Sequence, residues 1–244
     1  MTAAYQILDA NTTIGAHPDH RLNMSIERLI GEMDTHKIAG SLAQSTLGIY
    51  DSYERGNAAI IEAARGNNRL VPVASINPLR YFGTVDDMRK ICSPGFRIFR
   101  FYPDEQGWVI ESAAFAQVLR QLAEVKLPFI IDASKSGDPS AVAKVASGYP
   151  APVIIGSISL DTLSESLAVM ADNPNIMIET HELHIPGALE MIAQRAGADR
   201  IVFGSGGPLR SIASALSYIT NSGLSEEDKQ KALAGNIRRV LEAK

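Results

Sequence analysis

The stretch Leu127-Pro128-Phe129-Ile130-Ile131-Asp132 decides the fold, because it is a short apolar run with a proline before it and polar residues after it. Periodicity alone does not separate such a run from a buried helix, but its brevity and its flanking residues favour a strand. Runs of this kind recur along the chain. We predict strands at Tyr5–Ala10, Ile38–Gln44, Leu70–Ile76, Phe96–Phe101, Phe129–Asp132, Val153–Gly156, Ile176–Glu179 and Ile201–Phe203.

The segments between these strands carry apolar residues at the spacing of an amphipathic helix. Met24–Thr35, Glu111–Val125 and Ser159–Asp172 each place their apolar side chains on one face. The last helix is predicted to begin at Ser225. Asp228 stands three residues further on, which is the pattern of a capping box.

Strand and helix alternate eight times in 244 residues, and the resulting length of about 30 residues per unit is close to that of a (β/α)8 barrel. A doubly wound open sheet is the alternative, but it usually has fewer strands and often a glycine fingerprint. No G-x-G-x-x-G follows the first predicted strand, and no linker divides the chain. We predict an α/β protein with one (β/α)8 TIM-barrel domain over residues 1–244.

Composition excludes several classes of function. The net charge is −4 and no basic run interleaves with aromatic residues, which argues against a nucleic-acid partner. No apolar run is long enough to span a bilayer, and the N-terminus lacks the basic start of a signal peptide. The single cysteine, Cys92, suits a reducing compartment. We therefore expect a cytoplasmic protein without a membrane partner, and a homodimer because symmetric dimers are the commonest oligomers.

Candidate site residues follow from the fold, because the chemistry of a TIM barrel lies at the C-terminal ends of its strands. Polar residues stand at most of these predicted ends. The candidates are Asp9, Asn11, Thr13, Gln44, Ser45, Asn77, Arg100, Tyr102, Asp132, Ser134, Ser157, Glu179, His181, Ser205 and Gly206.

Several short sequence segments at the strand ends have the pattern of a known family. They are Leu8–Ala10, Val73–Pro78, Gly95–Pro103, Leu127–Asp132 and Ala198–Ser205, together with the closing helix Gly235–Leu241. In their order and spacing these segments resemble the amidohydrolase-related family, the amidohydrolase 2 branch of the metal-dependent hydrolases. The resemblance implies a TIM barrel and a hydrolase-like activity on a small compound.

The resemblance also implies metal ligands, and this chain departs from the family at each of them. The first-strand His-x-His falls on Asn11 and Thr13, and the fifth-strand histidine falls on Asp132. The sixth-strand histidine falls on Ser157, and the eighth-strand aspartate falls on Gly206. Hydroxyls and amides are poor zinc ligands beside imidazole or carboxylate. We therefore expect no metal and no other cofactor at this site.

Three residues are candidates for acid–base catalysis. Asp132 ends an apolar run, where partial desolvation would raise its pKa and suit a general base; the alternative is a turn acceptor. His181 titrates near neutrality, and its alternative is a solvated histidine on a surface loop. Asp9 shares a strand face with Asn11 and Thr13, and its alternative is a buried acceptor that fixes the first loop.

Two features are candidates for binding an anion. Arg100 shares a face with Tyr102 and is suited to hold a carboxylate or phosphate; its alternative is a salt bridge inside the barrel, with Asp132 as partner. The glycine-rich segment 204–209 precedes a helix and could present backbone N–H groups to an anion. Its alternative, which we favour, is a turn that needs a positive φ.

Two pairs of histidines offer other sites. His181 and His184 have the spacing of a metal-binding pair on a helical turn, but a third ligand would have to come from elsewhere. His17 and His20 lie in the first loop, past the predicted strand end. We expect no relocated metal site at the first pair and a solvated loop at the second.

Two functions remain open. The first is a divergent, metal-independent hydrolase or lyase that acts on a small carboxylated compound. In it Asp132 or His181 is the general base, and Arg100 with Asn11 holds the substrate. The second is a catalytically inactive relative that binds a ligand or a protein partner, which the loss of all the expected ligands favours. The sequence does not identify the substrate or the pathway.

Overall fold

A computed structural model describes residues 5–19 and 23–242. The strands in this part of the chain are β1 (Leu8–Ala16), β2 (Asn23–Met24), β3 (Gly40–Ser45), β4 (Leu70–Pro72), β5 (Ala74–Ser75), β6 (Phe99–Phe101), β7 (Phe129–Asp132), β8 (Val153–Gly156), β9 (Ile176–Glu179) and β10 (Ile201–Val202). The helices are α1 (Ile26–Thr35), α2 (Thr46–Tyr50), α3 (Tyr53–Arg65), α4 (Val85–Cys92), α5 (Pro103–Gln106), α6 (Ala113–Val125), α7 (Asp138–Val145), α8 (Leu160–Asp172), α9 (Ala188–Ala196), α10 (Ile212–Thr220), α11 (Glu226–Gln230) and α12 (Asn236–Glu242).

The strands close into a parallel barrel of the (β/α)8 class, as predicted. They pair in the orders β2-β1-β3-β4 and β5-β6-β7-β8-β9-β10, with β2 as an antiparallel partner outside the barrel. β4 and β5 are one barrel strand interrupted at Val73, whose N–H donates to the carbonyl of Ala43 at 2.9 Å. The barrel closes where the N–H of Ala10 donates to the carbonyl of Phe203 at 2.9 Å.

The predicted bounds hold for β7, β8 and β9 but not for the first strand. We predicted Tyr5–Ala10, whereas β1 runs over Leu8–Ala16, so that Asn11 and Thr13 lie inside the strand. A polar stretch can continue the strand because the hydroxyl of Thr12 contacts the hydroxyl of Ser41 at 2.7 Å and donates to a backbone carbonyl of β3. Hydrophobic patterning does not detect a strand whose buried side chains are satisfied in this way.

Serine side chains fix the beginnings of the predicted helices. α1, α6 and α8 end at the predicted residues, and each begins directly after a serine, Ser25, Ser112 or Ser159, whose hydroxyl accepts from a first-turn N–H. Ser225 caps α11 in the same way, by accepting from the N–H of Asp228 at 3.1 Å. The Asp228 carboxylate accepts from the Ser225 hydroxyl at 2.8 Å, so it takes the hydroxyl in place of the backbone N–H predicted for it.

The lower part of the barrel interior is a closed apolar core. Every strand position contributes one buried side chain to it, and the C-terminal helix α12 adds Ile237 and Val240. Burial of each aliphatic side chain of this size contributes about 1.5–3 kcal/mol to stability. The interior is therefore filled below the mouth. The strand contributions are Ala10, Leu42, Val73, Ile98, Ile130, Ile154, Met177 and Val202.

Asp9 joins the first strand to the last. Its side chain has no exposed surface, and one carboxylate oxygen accepts from the N–H of Asn11 at 3.0 Å and from that of Ser205 at 2.9 Å. The other oxygen accepts from the Ser205 hydroxyl at 2.5 Å. Burial raises the pKa of Asp9 to about 7, although these hydrogen bonds oppose the rise.

We expect Asp9 to make the stability of the fold depend on pH. Because the pKa of Asp9 rises from 3.8 to about 7 on folding, its stabilising contribution is present in acid and is lost as the pH rises towards 7. At about 1.4 kcal/mol per unit the loss is roughly 4 kcal/mol. Urea unfolding should show the wild-type free energy of unfolding falling relative to that of Asp9→Asn between about pH 4 and pH 7, with the two profiles running parallel above. Parallel profiles throughout this range would contradict the assignment.

Candidate active site

A polar cavity of about 130 Å³ lies at the C-terminal mouth of the barrel. It brings together nine of the candidate residues that the sequence nominated: Asn11, Thr13, Gln44, Arg100, Tyr102, Asp132, Ser157, His181 and Gly206. The rest of its wall is formed by His17, Thr46, Ile49, Tyr50, Glu105, Glu182, Leu209 and Arg210.

The buried guanidinium of Arg100 lies at the centre of this cavity's polar network. Only 1% of the residue is exposed, and its Nη2 donates to Asp132 Oδ1 at 2.5 Å and to Glu179 Oε2 at 3.2 Å. The salt bridge with Asp132, which the sequence left as an alternative, is therefore present. The Asp132 carboxylate therefore does more than accept hydrogen bonds in a turn, because it neutralises the buried charge of Arg100.

Some polar atoms around the cavity lack a protein partner. In the described part of the chain, Arg100 Nε and Nη1, the Tyr102 hydroxyl and the Thr46 hydroxyl are buried and unbonded. The Arg100 guanidinium also lies 5.6 Å from the centroid of the Tyr102 ring. Buried donors are nearly always hydrogen-bonded in folded proteins. Water or a ligand with acceptor oxygens would satisfy these donors.

His181 and Glu179 form a buried acid–base pair. His181 is 7% exposed, which excludes the alternative of a solvated histidine on a surface loop. Its Nδ1 donates to Glu179 Oε2 at 2.7 Å, and its backbone N–H donates to Glu179 Oε1 at 2.7 Å. Asn11 Nδ2 also donates to Glu179 Oε2, at 3.1 Å. Glu179 was only a minor candidate in the sequence, yet it contacts three of the cavity residues.

The charges of this pair shift both pKa values in the direction of an ion pair. Burial alone would lower the pKa of His181, but the adjacent Glu179 carboxylate more than offsets it and raises this pKa above its usual value. Burial raises the pKa of Glu179, while His181 and Arg100 together lower it to about 2. His181 Nε2 lies 3.5 Å from the Ser157 hydroxyl. The imidazole can therefore present a proton to the cavity.

A second ion pair covers the rim of the cavity. Arg210 Nη2 donates to Glu182 Oε1, and this carboxylate oxygen also lies 3.8 Å from His181 Nε2. Gly206 has a φ of +70°, and a Cβ at this position would lie 2.9 Å from Cδ of Arg210. The Arg210 side chain therefore occupies the space beside the position where the family resemblance implied an aspartate.

The glycine-rich segment after β10 does not form an anion cradle. The N–H of Gly204 donates to the Thr180 hydroxyl, that of Gly206 to the carbonyl of Asn11, and that of Gly207 to the Ser205 hydroxyl. With these donors engaged inside the protein, the segment is the turn with positive φ that we favoured.

Six of the fifteen candidate residues lie outside the cavity lining: Asp9, Ser45, Asn77, Ser134, Glu179 and Ser205. Asp9 is buried in the closure between the first and last strands, where the Ser205 hydroxyl donates to it. This position favours the structural alternative for Asp9, a buried acceptor, and makes Ser205 the donor that holds it. Asn77 accepts from the N–H of Leu79 at 3.0 Å and lines a neighbouring cavity. It caps a 3-10 turn there and does not reach the mouth cavity.

Among the described residues, His184 and His17 do not come together in a second centre. His184 packs edge-on against Tyr218, with ring centroids 6.1 Å apart, and lines a different cavity from His181. His17 lies on the mouth cavity, where its Nε2 is 2.9 Å from the Tyr50 hydroxyl. His20 lies outside the described residues.

The residues at the mouth do not fit a divalent cation. Among residues 5–19 and 23–242, no cluster of three or more His, Cys, Asp or Glu side chains is arranged to hold a metal ion. Asp132 keeps the only carboxylate at the positions that the family resemblance assigns to ligands, and it is already bonded to a guanidinium. The Asn11 amide donates towards Glu179 instead of offering its oxygen there.

Comparison with known proteins identifies the family. A family model described as amidohydrolase matches residues 50–243, which is most of the chain. The chain therefore belongs to the amidohydrolase family. No curated protein matches the sequence. In the part of the chain that is described, no helix is long and apolar enough to cross a membrane.

Solved structures share the fold at low sequence identity. 5-Carboxyvanillate decarboxylase from Sphingomonas paucimobilis has a TM-score of 0.80 at 12% identity, covering 99% of this chain and 100% of that one. A probable 2-pyrone-4,6-dicarboxylic acid hydrolase from Acinetobacter baumannii has a TM-score of 0.74 at 13% identity, covering 98% and 100%. 2,6-Dihydroxybenzoate decarboxylase from Rhizobium has a TM-score of 0.76 at 14% identity, covering 98% and 99%. At these identities the likeness establishes the fold alone.

We expect Glu179 to control the protonation of His181. In Glu179→Gln the pKa of His181 should fall, because the carboxylate that raises it is gone while burial, which lowers it, remains. NMR titration of ¹⁵N-labelled protein would measure this pKa, and His184, which lines another cavity, gives an internal control. An unchanged His181 titration in a folded Glu179→Gln variant would contradict the pairing.

Proposed function

We propose that this amidohydrolase-family protein is a lyase that removes the carboxyl group of a small carboxylated aromatic compound without using a divalent metal. The observation that carries the proposal is the His181–Glu179 pair, which holds a proton beside the unbonded donors of Arg100 and Tyr102. Two of the structures with the same fold are decarboxylases of aromatic acids, which supports the choice of substrate class.

The cavity lining suits a planar acid. Arg100 Nε and Nη1 and the Tyr102 hydroxyl offer donors to carboxylate oxygens, and a carboxylate accepts well from a guanidinium. Ile49, Leu209 and the Tyr50 ring supply apolar surface for a ring. A ligand in this position places its carboxylate on Arg100 and its ring below the rim.

His181 then acts as a general acid. Its Nε2 proton is transferred to the ring carbon that bears the carboxylate. The bond between this carbon and the carboxylate breaks, its electron pair restores the aromatic ring, and carbon dioxide leaves. One carboxylate and one proton give one arene and one carbon dioxide, and His181 recovers its proton from solvent. Glu179 keeps the imidazole oriented throughout, and its negative charge favours the return of the proton to His181.

Hydrolysis is less well supported by the same geometry. Activation of water needs an unprotonated base with a free lone pair. Asp132 binds the Arg100 guanidinium at 2.5 Å, and the neighbouring carboxylate favours the protonated form of His181. The base role that the sequence gave to Asp132 or His181 is therefore replaced by an acid role for His181.

A second candidate is a protein that binds such a ligand without converting it. The replacement of the expected ligands at Asn11, Thr13, Ser157 and Gly206 favours this reading. For either function we propose a small anionic molecule as partner, and we retain a cytoplasmic homodimer as a proposal. Binding without turnover separates the two candidates.

We expect decarboxylation of hydroxylated benzoates or benzene dicarboxylates by protein treated with a chelator. His181→Asn should lower kcat by about a hundred- to ten-thousand-fold, which is the usual contribution of a general acid. His184→Asn is the matched control and should retain wild-type kcat, since His184 lines another cavity. Carbon dioxide release and product chromatography measure both. Stabilisation by a compound that is never converted would favour the binding protein, and loss of turnover on chelation would reject metal independence.

We expect Tyr102→Phe to weaken substrate binding more than turnover. It removes a buried hydroxyl without a protein partner and leaves the ring beside Arg100. KM should rise about tenfold, the equivalent of about 1.4 kcal/mol, with kcat little changed. Tyr218→Phe removes a hydroxyl that donates to the carbonyl of Ile185 and is the matched control. An unchanged KM in Tyr102→Phe would contradict the binding role.

A further inference from the structure

The short helix α2 presents two hydroxyl groups to the mouth cavity. Thr46 and Tyr50 stand four residues apart on α2, a spacing that places side chains on one face of a helix, and both line the cavity. Arg100 and Tyr102, which bind the carboxylate under the proposed function, belong to β6 and to the residue that follows it. The cavity therefore has hydrogen-bonding groups from two separate elements of the fold.

The hydroxyl of Thr46 has no partner in the described part of the chain. The residue is 2% exposed, and its Oγ1 is buried without a hydrogen bond. This oxygen lies close against the first strand, since a Cβ placed on Gly15 would be 2.3 Å from it. Buried hydroxyls nearly always have a partner in folded proteins. An oxygen atom of a bound ligand would supply one to Thr46.

Hydrogen bonds define how the Tyr50 hydroxyl can donate. The N–H of Asp19 donates to Nδ1 of His17 at 3.1 Å, so this nitrogen carries a lone pair and the ring proton is on Nε2. Nε2 lies 2.9 Å from the Tyr50 hydroxyl and therefore donates to its oxygen. Burial and the charge of Glu105 raise the pKa of Tyr50 to about 12, so the hydroxyl keeps its own proton. This proton is left for an acceptor on a ligand in the cavity.

The charge near these hydroxyls favours an uncharged group on the ligand. Glu105 also lines the cavity, and its negative charge acts on Tyr50. A second carboxylate of a ligand, placed against α2, would be repelled by Glu105. A hydroxyl substituent is not repelled in this way, and it can accept from Tyr50 and also form a hydrogen bond with Thr46.

We propose that Thr46 and Tyr50 determine specificity by hydrogen-bonding a hydroxyl substituent on the ring of the bound acid, and that His17 positions Tyr50 for this contact. The inference rests on the proposed function. It selects hydroxylated benzoates over benzene dicarboxylates, the two substrate classes named there. Its test is a binding experiment, which needs no turnover.

Calorimetric binding of benzoate, the three monohydroxybenzoates and the three benzene dicarboxylates tests the proposal. The wild type should bind at least one hydroxybenzoate about tenfold more tightly than benzoate, which is the effect of one good hydrogen bond. Thr46→Val and Tyr50→Phe should each reduce this preference about three- to tenfold and leave the affinity for benzoate unchanged. Glu105→Gln should raise the affinity for the dicarboxylates, because it removes the repelling charge.

Matched variants separate specificity from stability. Thr46→Ser keeps a hydroxyl and should keep the preference, as should Thr35→Val, which removes a hydroxyl that donates to the carbonyl of Gly31. Thr46→Val should fold with an unchanged or higher melting temperature, because it removes an unbonded buried hydroxyl. If it does not fold, Tyr50→Phe gives the same test. His17→Phe should weaken the preference in the wild type and have no further effect in Tyr50→Phe.

Equal affinities of the wild type for benzoate and all three hydroxybenzoates, or no binding of any of these acids, would overturn the proposal. So would an equal loss of affinity for benzoate and hydroxybenzoate in Thr46→Val and Tyr50→Phe, because the hydroxyls would then not contact the substituent. Turnover of an acid without this preference would refute the inference and leave the proposed lyase standing. The expected preferences in a protein that converts none of these acids would refute the lyase and leave the inference standing.

Discussion

The burial of one positive charge constrains the whole mouth of the barrel. Arg100 is 1% exposed, and a guanidinium removed from water is costly unless carboxylates compensate it. Asp132 and Glu179 provide that compensation. Glu179 in turn fixes His181 by two hydrogen bonds, so the charge of the arginine, the orientation of the imidazole and its protonation are linked.

The barrel separates this polar network from the apolar core beneath it. Below the mouth, one side chain from each strand position packs with the C-terminal helix α12, so no open channel continues from the cavity in the described part of the chain. Where the first strand meets the last, the barrel is closed by polar contacts, because the backbone N–H and the hydroxyl of Ser205 donate to the Asp9 carboxylate. A carboxylate in this place is structural because its oxygens are all engaged in holding the two strand ends together.

The proposed lyase function uses a donor set that suits proton transfer to a bound acid better than the activation of water. With His181 protonated, the buried charges of Arg100 and His181 balance those of Asp132 and Glu179. A metal ion would add charge that the remaining amide and hydroxyl groups are poorly suited to accept. The family membership therefore specifies the scaffold, and under the proposed function the side chains of Arg100 and His181 would stabilise negative charge within it.

The sequence by itself determined the eight-fold repeat, three of the barrel strands to the residue, and most of the side chains at the mouth. Periodicity and the polar residues after each strand carry this information, because they are local properties of the chain. Only the tertiary structure decided that Arg100 and Glu179, 79 residues apart, share a hydrogen bond, and that Asp9 reaches Ser205 and not the cavity. A sequence pattern gives the face of a strand on which a charge lies. Which charges meet across the barrel depends on strand register and closure, and these are set by packing between residues distant in the chain.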